Sequence, residues 1–189
     1  TFGDLTINHN ANDRLFSASG KNYGSNALAT TAYDDGYTAG GMYYCNGTGG
    51  ETRRNVTINN VIAGDKIVVY MASSNAATGT LVFKYLGEDN EQVEKASFTN
   101  KGTKYEFVAK YSGSYKVYTD AAAGKPIYNR IVRIPGVAVS GTIDGAQLSG
   151  YKVMFKDEAN GITYDADIKG NTFTATLAAG CNYTAVLSG

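Results

Sequence analysis

Apolar and polar residues alternate one by one along the middle of the chain, and turn-forming residues interrupt the alternation at short intervals. A period of two in β-branched and aromatic residues is typical of strands with one buried face. Such runs occur at 55–58, 67–71, 81–85, 105–108, 115–118 and 127–134. Glycine, asparagine, aspartate and serine separate them, as turns require. The pattern predicts an antiparallel β-sandwich of the jelly-roll type over this region.

Pro135-Gly136 interrupts the pattern, and a second set of alternating runs follows. These runs lie at 137–143, 151–155, 162–164, 172–177 and 183–187. Short strands at this spacing are enough for a small sandwich. The sequence therefore predicts an all-β chain with two domains, a jelly roll over residues 1–135 and a smaller β-sandwich over residues 136–189.

Charge and composition exclude some classes of function. The 17 basic and 17 acidic side chains give a net charge of zero, whereas a nucleic-acid binder usually carries a clustered basic excess. No apolar run approaches the ~18–20 residues that span a bilayer, so we expect no membrane insertion. Cys45 and Cys181 are too few for a disulfide scaffold. Their pairing stays open from sequence, with two free thiols favoured.

The sequence offers little for catalysis. The single histidine, His9, lies in a polar, turn-like stretch, and a catalytic triad would depend on it alone. Neither a G-x-S-x-G elbow nor a phosphate-binding loop occurs. Two carboxylates suffice for a glycosidase, but such an enzyme normally needs more chain to build its cleft. We therefore predict that the protein is not an enzyme.

Two acidic loops could offer oxygen ligands to a cation. They are Asp34-Asp35-Gly36 and residues 157–161, and neither has the ligand spacing of a known calcium loop. Ordinary turn chemistry is the favoured interpretation of both. We therefore expect no cofactor, with a structural Ca²⁺ as the less favoured alternative.

From Arg53 onward, the order of several motifs is distinctive. The motifs are residues 53–58, 67–72, 113–118 and 127–132. In this order they resemble the jelly-roll accessory modules of pectate lyases and of other extracellular polysaccharide-degrading or polysaccharide-binding proteins of gut and rumen bacteria. The stretch 139–186 is similar to the small prealbumin-like β-domains often found beside those modules. The resemblance covers most of residues 50–189 and does not extend to residues 1–50.

This resemblance implies a carbohydrate-binding protein that is extracellular or on the bacterial cell surface. It also implies a monomer that works beside neighbouring modules of a larger extracellular protein. Because the net charge is zero, we expect a neutral α-glucan such as starch slightly ahead of pectin. The alternative is a structural spacer or adhesion domain with no glycan affinity of its own.

The candidate binding residues come from residues 23–46, a glycine-rich segment with many tyrosines. Exposed rings offer apolar surface to the C–H faces of sugars, and a loop on a rigid sandwich is a common binding site. We expect stacking from Tyr33, Tyr37 and Tyr43. The groups expected to bond hydroxyls are Asp34, Asp35 and Asn46, with Asn75 and Lys125 from two later loops. The equally weighted alternative is a segment that folds over a sheet edge and buries its own rings.

Overall fold

The computed structural model is all-β, which confirms the predicted fold class. It describes residues 3–8, 15–18, 31–45, 47, 49–73, 78–88, 91–99, 101–120, 125–144 and 149–189. The chain divides into two compact units. The first comprises residues 1–61, 67–107 and 113–132, and the second comprises residues 62–66, 108–112 and 133–189.

The first unit is a sandwich of two five-stranded sheets. Its described strands are β1 (Leu5–Asn8), β2 (Leu15–Ala18), β3 (Met42–Cys45), β4 (Asn55–Val61), β5 (Lys66–Ser73), β6 (Gly79–Tyr85), β7 (Val93–Phe98), β8 (Thr103–Val108), β9 (Gly113–Asp120) and β10 (Pro126–Ile134). One sheet has the order β1-β4-β9-β6-β7 and the other the order β2-β3-β10-β5-β8. From β3 to β10 this is the eight-strand, double-Greek-key order of a jelly roll.

The core of the first unit follows the alternation of the sequence. Ile67, Val69 and Met71 in β5 are fully buried, and so is Val117 in β9. The same alternation predicts that Ile131 in β10 is also a core residue, but it is only half-buried, because it borders a small cleft that is also lined by Leu5 and Ile7 of β1. Phe83 lies at the centre of a stack of rings, 4.5 Å from Tyr115 and 5.0 Å from Phe107 between ring centroids.

The second unit is a smaller sandwich with two three-stranded sheets, β11-β15-β14 and β13-β12-β16. Its strands are β11 (Val137–Thr142), β12 (Lys152–Asp157), β13 (Ile162–Asp165), β14 (Asp167–Lys169), β15 (Thr172–Leu177) and β16 (Thr184–Ser188). Its buried cluster contains Ile162, Tyr164 and Leu177, together with Val108. The alternation of the sequence predicts all of these strands except the short β14.

Asp65 holds the separate segments of the second unit together. Its side chain is buried and accepts hydrogen bonds from the backbone N–H groups of Ile62 (2.9 Å) and Gly136 (3.1 Å). Arg133 Nε lies 3.7 Å from Oδ2 of the same carboxylate, and the Ala109 N–H donates to the Asp65 carbonyl at 2.8 Å. Asp65 thus links all three segments of the second unit, the last of which runs from Arg133 to Gly189.

Both cysteines lie among the described residues, one in each unit. Cys45, buried in the first unit, and Cys181, half-buried in the second, are both free thiols. Burial raises the pKa of the Cys45 thiol to about 11, so it stays protonated at neutral pH. Within the described part of the chain, no helix has the length and apolar character that crossing a bilayer requires.

Candidate functional site

A tight hairpin-like loop precedes β3 and carries two of the candidate tyrosines. Ala32 pairs with Thr38 across the loop, and the Tyr33 N–H donates to the Tyr37 carbonyl at 2.8 Å. Gly36 closes the turn with a φ of 85°, a left-handed conformation that glycine adopts without a steric penalty. The backbone of this loop, residues 31–39, is therefore fixed by its own hydrogen bonds.

The loop places its rings against the outer face of β5. Tyr33, Tyr37 and Tyr70 contact one another, with centroid distances of 5.6 Å (Tyr33–Tyr37), 5.0 Å (Tyr33–Tyr70) and 4.7 Å (Tyr37–Tyr70). We call these three residues the tyrosine cluster. Tyr33 is 5% exposed and Tyr70 is 7% exposed, whereas Tyr37 is half-buried. Tyr37 is therefore the member that presents ring surface to solvent.

Arg130 of β10 lies over the tyrosine cluster. Its guanidinium carbon is 4.8 Å from the centroid of Tyr37 and 5.6 Å from that of Tyr70, within the ~6 Å range of a cation–π contact. The residue is exposed to solvent. Among the described residues, Arg130 contacts these two tyrosine rings, and no carboxylate forms an ion pair with it.

Asp35 ties the loop to the strand beneath it. Its Oδ2 accepts a hydrogen bond from the Tyr70 hydroxyl at 2.7 Å, and its Oδ1 accepts one from the Tyr37 N–H at 3.1 Å. Lys104 Nζ lies 3.6 Å from Oδ2. The Tyr70 hydrogen bond, followed by the Tyr37 N–H, holds the pKa of Asp35 below its usual range. Burial and the same hydrogen bond raise the pKa of Tyr70.

Asn129 anchors the loop at a second point. The buried Tyr33 hydroxyl donates to Asn129 Oδ1 at 2.6 Å, and Asn129 Nδ2 donates to the Gly41 carbonyl at 2.8 Å. Burial raises the pKa of Tyr33, so that its phenol stays neutral and able to donate. Tyr33 thus packs as an interior residue under the loop.

A polar pocket of about 330 Å³ opens beside Asp35. It is lined by Asp34, Asp35, Gly102, Thr103 and Lys104. A Cβ on Gly102 would collide with the Thr31 side chain, so glycine is needed for the close approach of the two loops. Lys101 Nζ lies 3.5 Å from Asp34 Oδ2, and both side chains are mostly in solvent.

The structure brings together four of the predicted site residues, namely Tyr33, Tyr37, Asp34 and Asp35. Tyr43 lies elsewhere, in β3, opposite Tyr128. It lines an apolar cleft of about 90 Å³ together with Leu5 and Ile7, and Asn129 and Arg130 also border this cleft.

Of the remaining predicted residues, Lys125 is the one that the structure describes. Lys125 is half-buried just before β10, roughly 15 Å from Arg130 at the usual rise of an extended chain. Asn46 and Asn75 lie outside the described residues, as does His9.

Sequence reasoning missed Tyr70, Lys104, Asn129 and Arg130. Alternation does place Tyr70 on the face of β5 opposite Ile67 and Val69, which is a usable signal for an outward ring. Nothing in the local pattern indicates that the loop of residues 31–39 would fold onto that face. Contacts that join residues so far apart in sequence depend on the strand order.

Other parts of the structure offer less for binding. Across the described segments, no group of three or more histidine, cysteine, aspartate or glutamate residues is placed to hold a metal ion. A pocket of about 340 Å³ in the second unit has no aromatic ring in its lining. The lining residues are Ala138, Val139, Ser140, Asp165, Asp167, Thr174, Ala175 and Thr176.

In comparisons with models of protein families and with curated protein sequences, nothing matches this chain. The likeness to accessory modules of polysaccharide-degrading proteins therefore stays a prediction from the order of motifs. Function is inferred from the geometry of the tyrosine cluster and its neighbours.

Proposed function

We propose that this chain is a non-catalytic carbohydrate-binding protein that holds a plant polysaccharide at the tyrosine cluster. The observation that carries this proposal is the link between a solvent-facing ring and a polar pocket. Asp35 lines the pocket and also bonds the Tyr37 backbone. Sugar rings pack their C–H faces on tyrosine, while hydroxyls bond nearby carboxylates, ammonium groups and hydroxyls.

The site is held in place before any ligand arrives. Contacts among the three rings, the Gly36 turn and the two hydrogen bonds to Asp35 fix the position of Tyr37. Fixing a contact surface in advance lowers the entropic cost of binding. The pocket of about 330 Å³ is at the small end of the ~300–1,000 Å³ range of ligand pockets. It therefore suits one unit of a polymer.

Each residue has a distinct role in this proposal. Tyr37 stacks on a sugar ring, Asp34 and Thr103 bond hydroxyls, and Tyr33 supports the loop from within. Tyr43 and Lys125 have no part in it. The setting that we propose is extracellular or on a cell surface, where the chain acts as a monomer beside other modules.

Affinity gels cast with starch, homogalacturonan, xyloglucan and β-glucan test the proposal. At least one gel should retard the wild-type protein. Tyr37→Ala should weaken that binding roughly 5- to 100-fold, since a stacking ring contributes about 1–3 kcal/mol. Tyr151→Ala is the matched control, because Tyr151 is 46% exposed and belongs to the second unit. Equal retardation of Tyr37→Ala and wild type would contradict the proposed site.

A structural spacer is the second candidate function. The observation that favours it is the burial of Tyr33 and Tyr70, which are 5% and 7% exposed. Most of the aromatic surface of the cluster is therefore used to hold the loop onto the sandwich. Failure of every gel to retard the wild-type protein would favour the spacer over glycan binding.

A further inference from the structure

We propose that Arg130 recognises a carboxylate on the saccharide, so that the ligand is an acidic polysaccharide. This inference rests on the proposed function and names the ligand class of the same site. The observation behind it is an exposed guanidinium that lies on two tyrosine rings, with no carboxylate partner among the described residues. No described carboxylate occupies its N–H donors, and its exposed position lets a ligand reach them.

The other two cations of the site already have acidic partners. Lys104 Nζ lies 3.0 Å from Glu106 Oε1 and 3.6 Å from Asp35 Oδ2. Lys101 Nζ lies 3.5 Å from Asp34 Oδ2. This face therefore carries three acidic and three basic side chains, and each acidic side chain already pairs with a lysine. The arrangement leaves Arg130 as the cation that an incoming anion can reach without breaking an ion pair in the described part of the chain.

The ring contacts also prepare Arg130 for this role. A guanidinium is planar and presents its donors as a fork that matches the two oxygens of a carboxylate. The stacking of Arg130 on Tyr37 and Tyr70 restricts the side chain before binding, so less conformational entropy is lost when the fork engages. A uronic acid unit that contacts Tyr37 could place its carboxylate against this fork. Arg130 thus favours an acidic polysaccharide over a neutral glucan, whereas the net charge of zero predicts the opposite order.

Two pairs of polymers that differ in the carboxylate test the inference on the wild-type protein. The first pair is polygalacturonate and its methyl-esterified form, and the second is carboxymethyl cellulose and hydroxyethyl cellulose. We expect tighter binding to the free-acid polymer of the first pair by about tenfold, the effect of one charged hydrogen-bonding pair. The preference should shrink as salt rises from about 50 to 500 mM, because the contact is exposed to solvent.

Arg130 variants assign the preference to this side chain. Arg130→Ala should weaken binding to polygalacturonate about tenfold, which is the size of the wild-type preference, and leave the esterified polymer bound as before. Arg130→Lys keeps the charge but loses the fork, so it should recover only part of the affinity. Lys95→Ala is the matched control, since it removes one exposed cation from β7 of the other sheet. Thermal melts of every variant check that the fold is intact.

The possible outcomes separate the inference from the proposed function. A preference for free acid that Arg130→Ala removes supports both. Equal binding to the acid and the esterified polymer, or binding to neutral glucans alone, overturns the carboxylate inference and leaves glycan binding in place. A preference that survives in folded Arg130→Ala overturns the role of Arg130. Absence of binding to every polymer, starch and xyloglucan included, overturns the proposed function and the inference with it.

Discussion

Asp34 and Asp35 are neighbours in one turn, yet their environments give them different roles. Both oxygens of Asp35 accept hydrogen bonds from the tyrosine cluster, so its main effect is to position Tyr37 and Tyr70. The Asp34 side chain is 90% exposed, and among the described residues its ion pair is with the Lys101 ammonium at 3.5 Å. A carboxylate in that state is open to a sugar hydroxyl. The sequence pattern alone treats the two residues as equivalent.

Tyr33→Phe separates the support of the loop from contact with a ligand. The variant removes the 2.6 Å hydrogen bond that the Tyr33 hydroxyl donates to Asn129 Oδ1. We expect a loss of about 1–2 kcal/mol in the free energy of unfolding, measured by urea denaturation. Glycan affinity should stay within about twofold of wild type, because Tyr33 is an interior residue.

Tyr105→Phe serves as the control for this measurement. The Tyr105 hydroxyl donates to the Ser97 carbonyl at 3.0 Å in a solvent-exposed setting, where water can replace the lost donor. Its loss should therefore cost less than that of the Tyr33 hydroxyl. Equal losses for the two variants would show that Tyr33 does not anchor the loop.

At the scale of elements, β5 shows what alternation can and cannot predict. Alternation assigns Ile67, Val69 and Met71 to the core, and all three are fully buried. It also assigns Tyr70 to the opposite face, where a half-buried strand would expose it. In the structure β5 is buried on both faces, because the loop of residues 31–39 covers the outer one. The covering depends on long-range contacts, which a local pattern does not encode.

The strands that the pattern missed are short or at the edges of sheets. β1 and β7 form the two edges of one sheet, and β2 forms an edge of the other. The segment Val93–Phe98 alternates exposed and half-buried positions and carries Glu94 and Lys95. Edge strands commonly carry charged residues, which discourage pairing with other chains, and such strands have a weak apolar pattern. Their partners become clear only from the register.

Shortening one core side chain of β5 tests which side chains of this strand point into the sandwich. Val69→Ala should reduce the free energy of unfolding by about 2–3 kcal/mol, because Val69 is fully buried and the surrounding core closes only in part. Val93→Ala is the matched control in the edge strand β7, where the residue is 37% exposed, and it should cost no more than about 0.5 kcal/mol. Urea denaturation of both variants gives the comparison. Similar losses of unfolding free energy in the two variants would contradict the assignment of Val69 to the core and of Val93 to the exposed edge strand.

At the scale of the whole molecule, the sequence places one domain boundary at Pro135-Gly136, where the strand pattern stops. The second unit, however, also includes residues 62–66 and 108–112, which the pattern places within the first domain. Ala63-Gly64-Asp65 does have the composition of an ordinary turn. Its burial comes from contacts with residues far along the chain, such as the Gly136 N–H. A linear pattern cannot show that a turn belongs to a later domain.

Asp65 joins the three chain segments of the second unit through hydrogen bonds and an ion pair. Asp65→Ala would remove the acceptor of the Ile62 and Gly136 N–H groups and the carboxylate that lies 3.7 Å from Arg133 Nε. Because Asp65 is 2% exposed, water cannot readily replace those contacts. We expect a loss of about 2–4 kcal/mol in the stability of the second unit, seen by calorimetry.

Hydrogen exchange locates this effect. Amides of β11, which begins just after Gly136, should exchange faster in Asp65→Ala, because the anchor at the start of the strand is gone. In Asp65→Asn, the exchange rates of the β11 amides should lie between those of Asp65→Ala and wild type, since the amide oxygen of asparagine still accepts a hydrogen bond. Asp167→Ala removes an exposed carboxylate from β14 of the same unit and should leave exchange in β11 unchanged. If the β11 amides exchange at the same rate in Asp65→Ala and Asp167→Ala, Asp65 is not the residue that holds residues 62–66 and 133–136 in the second unit.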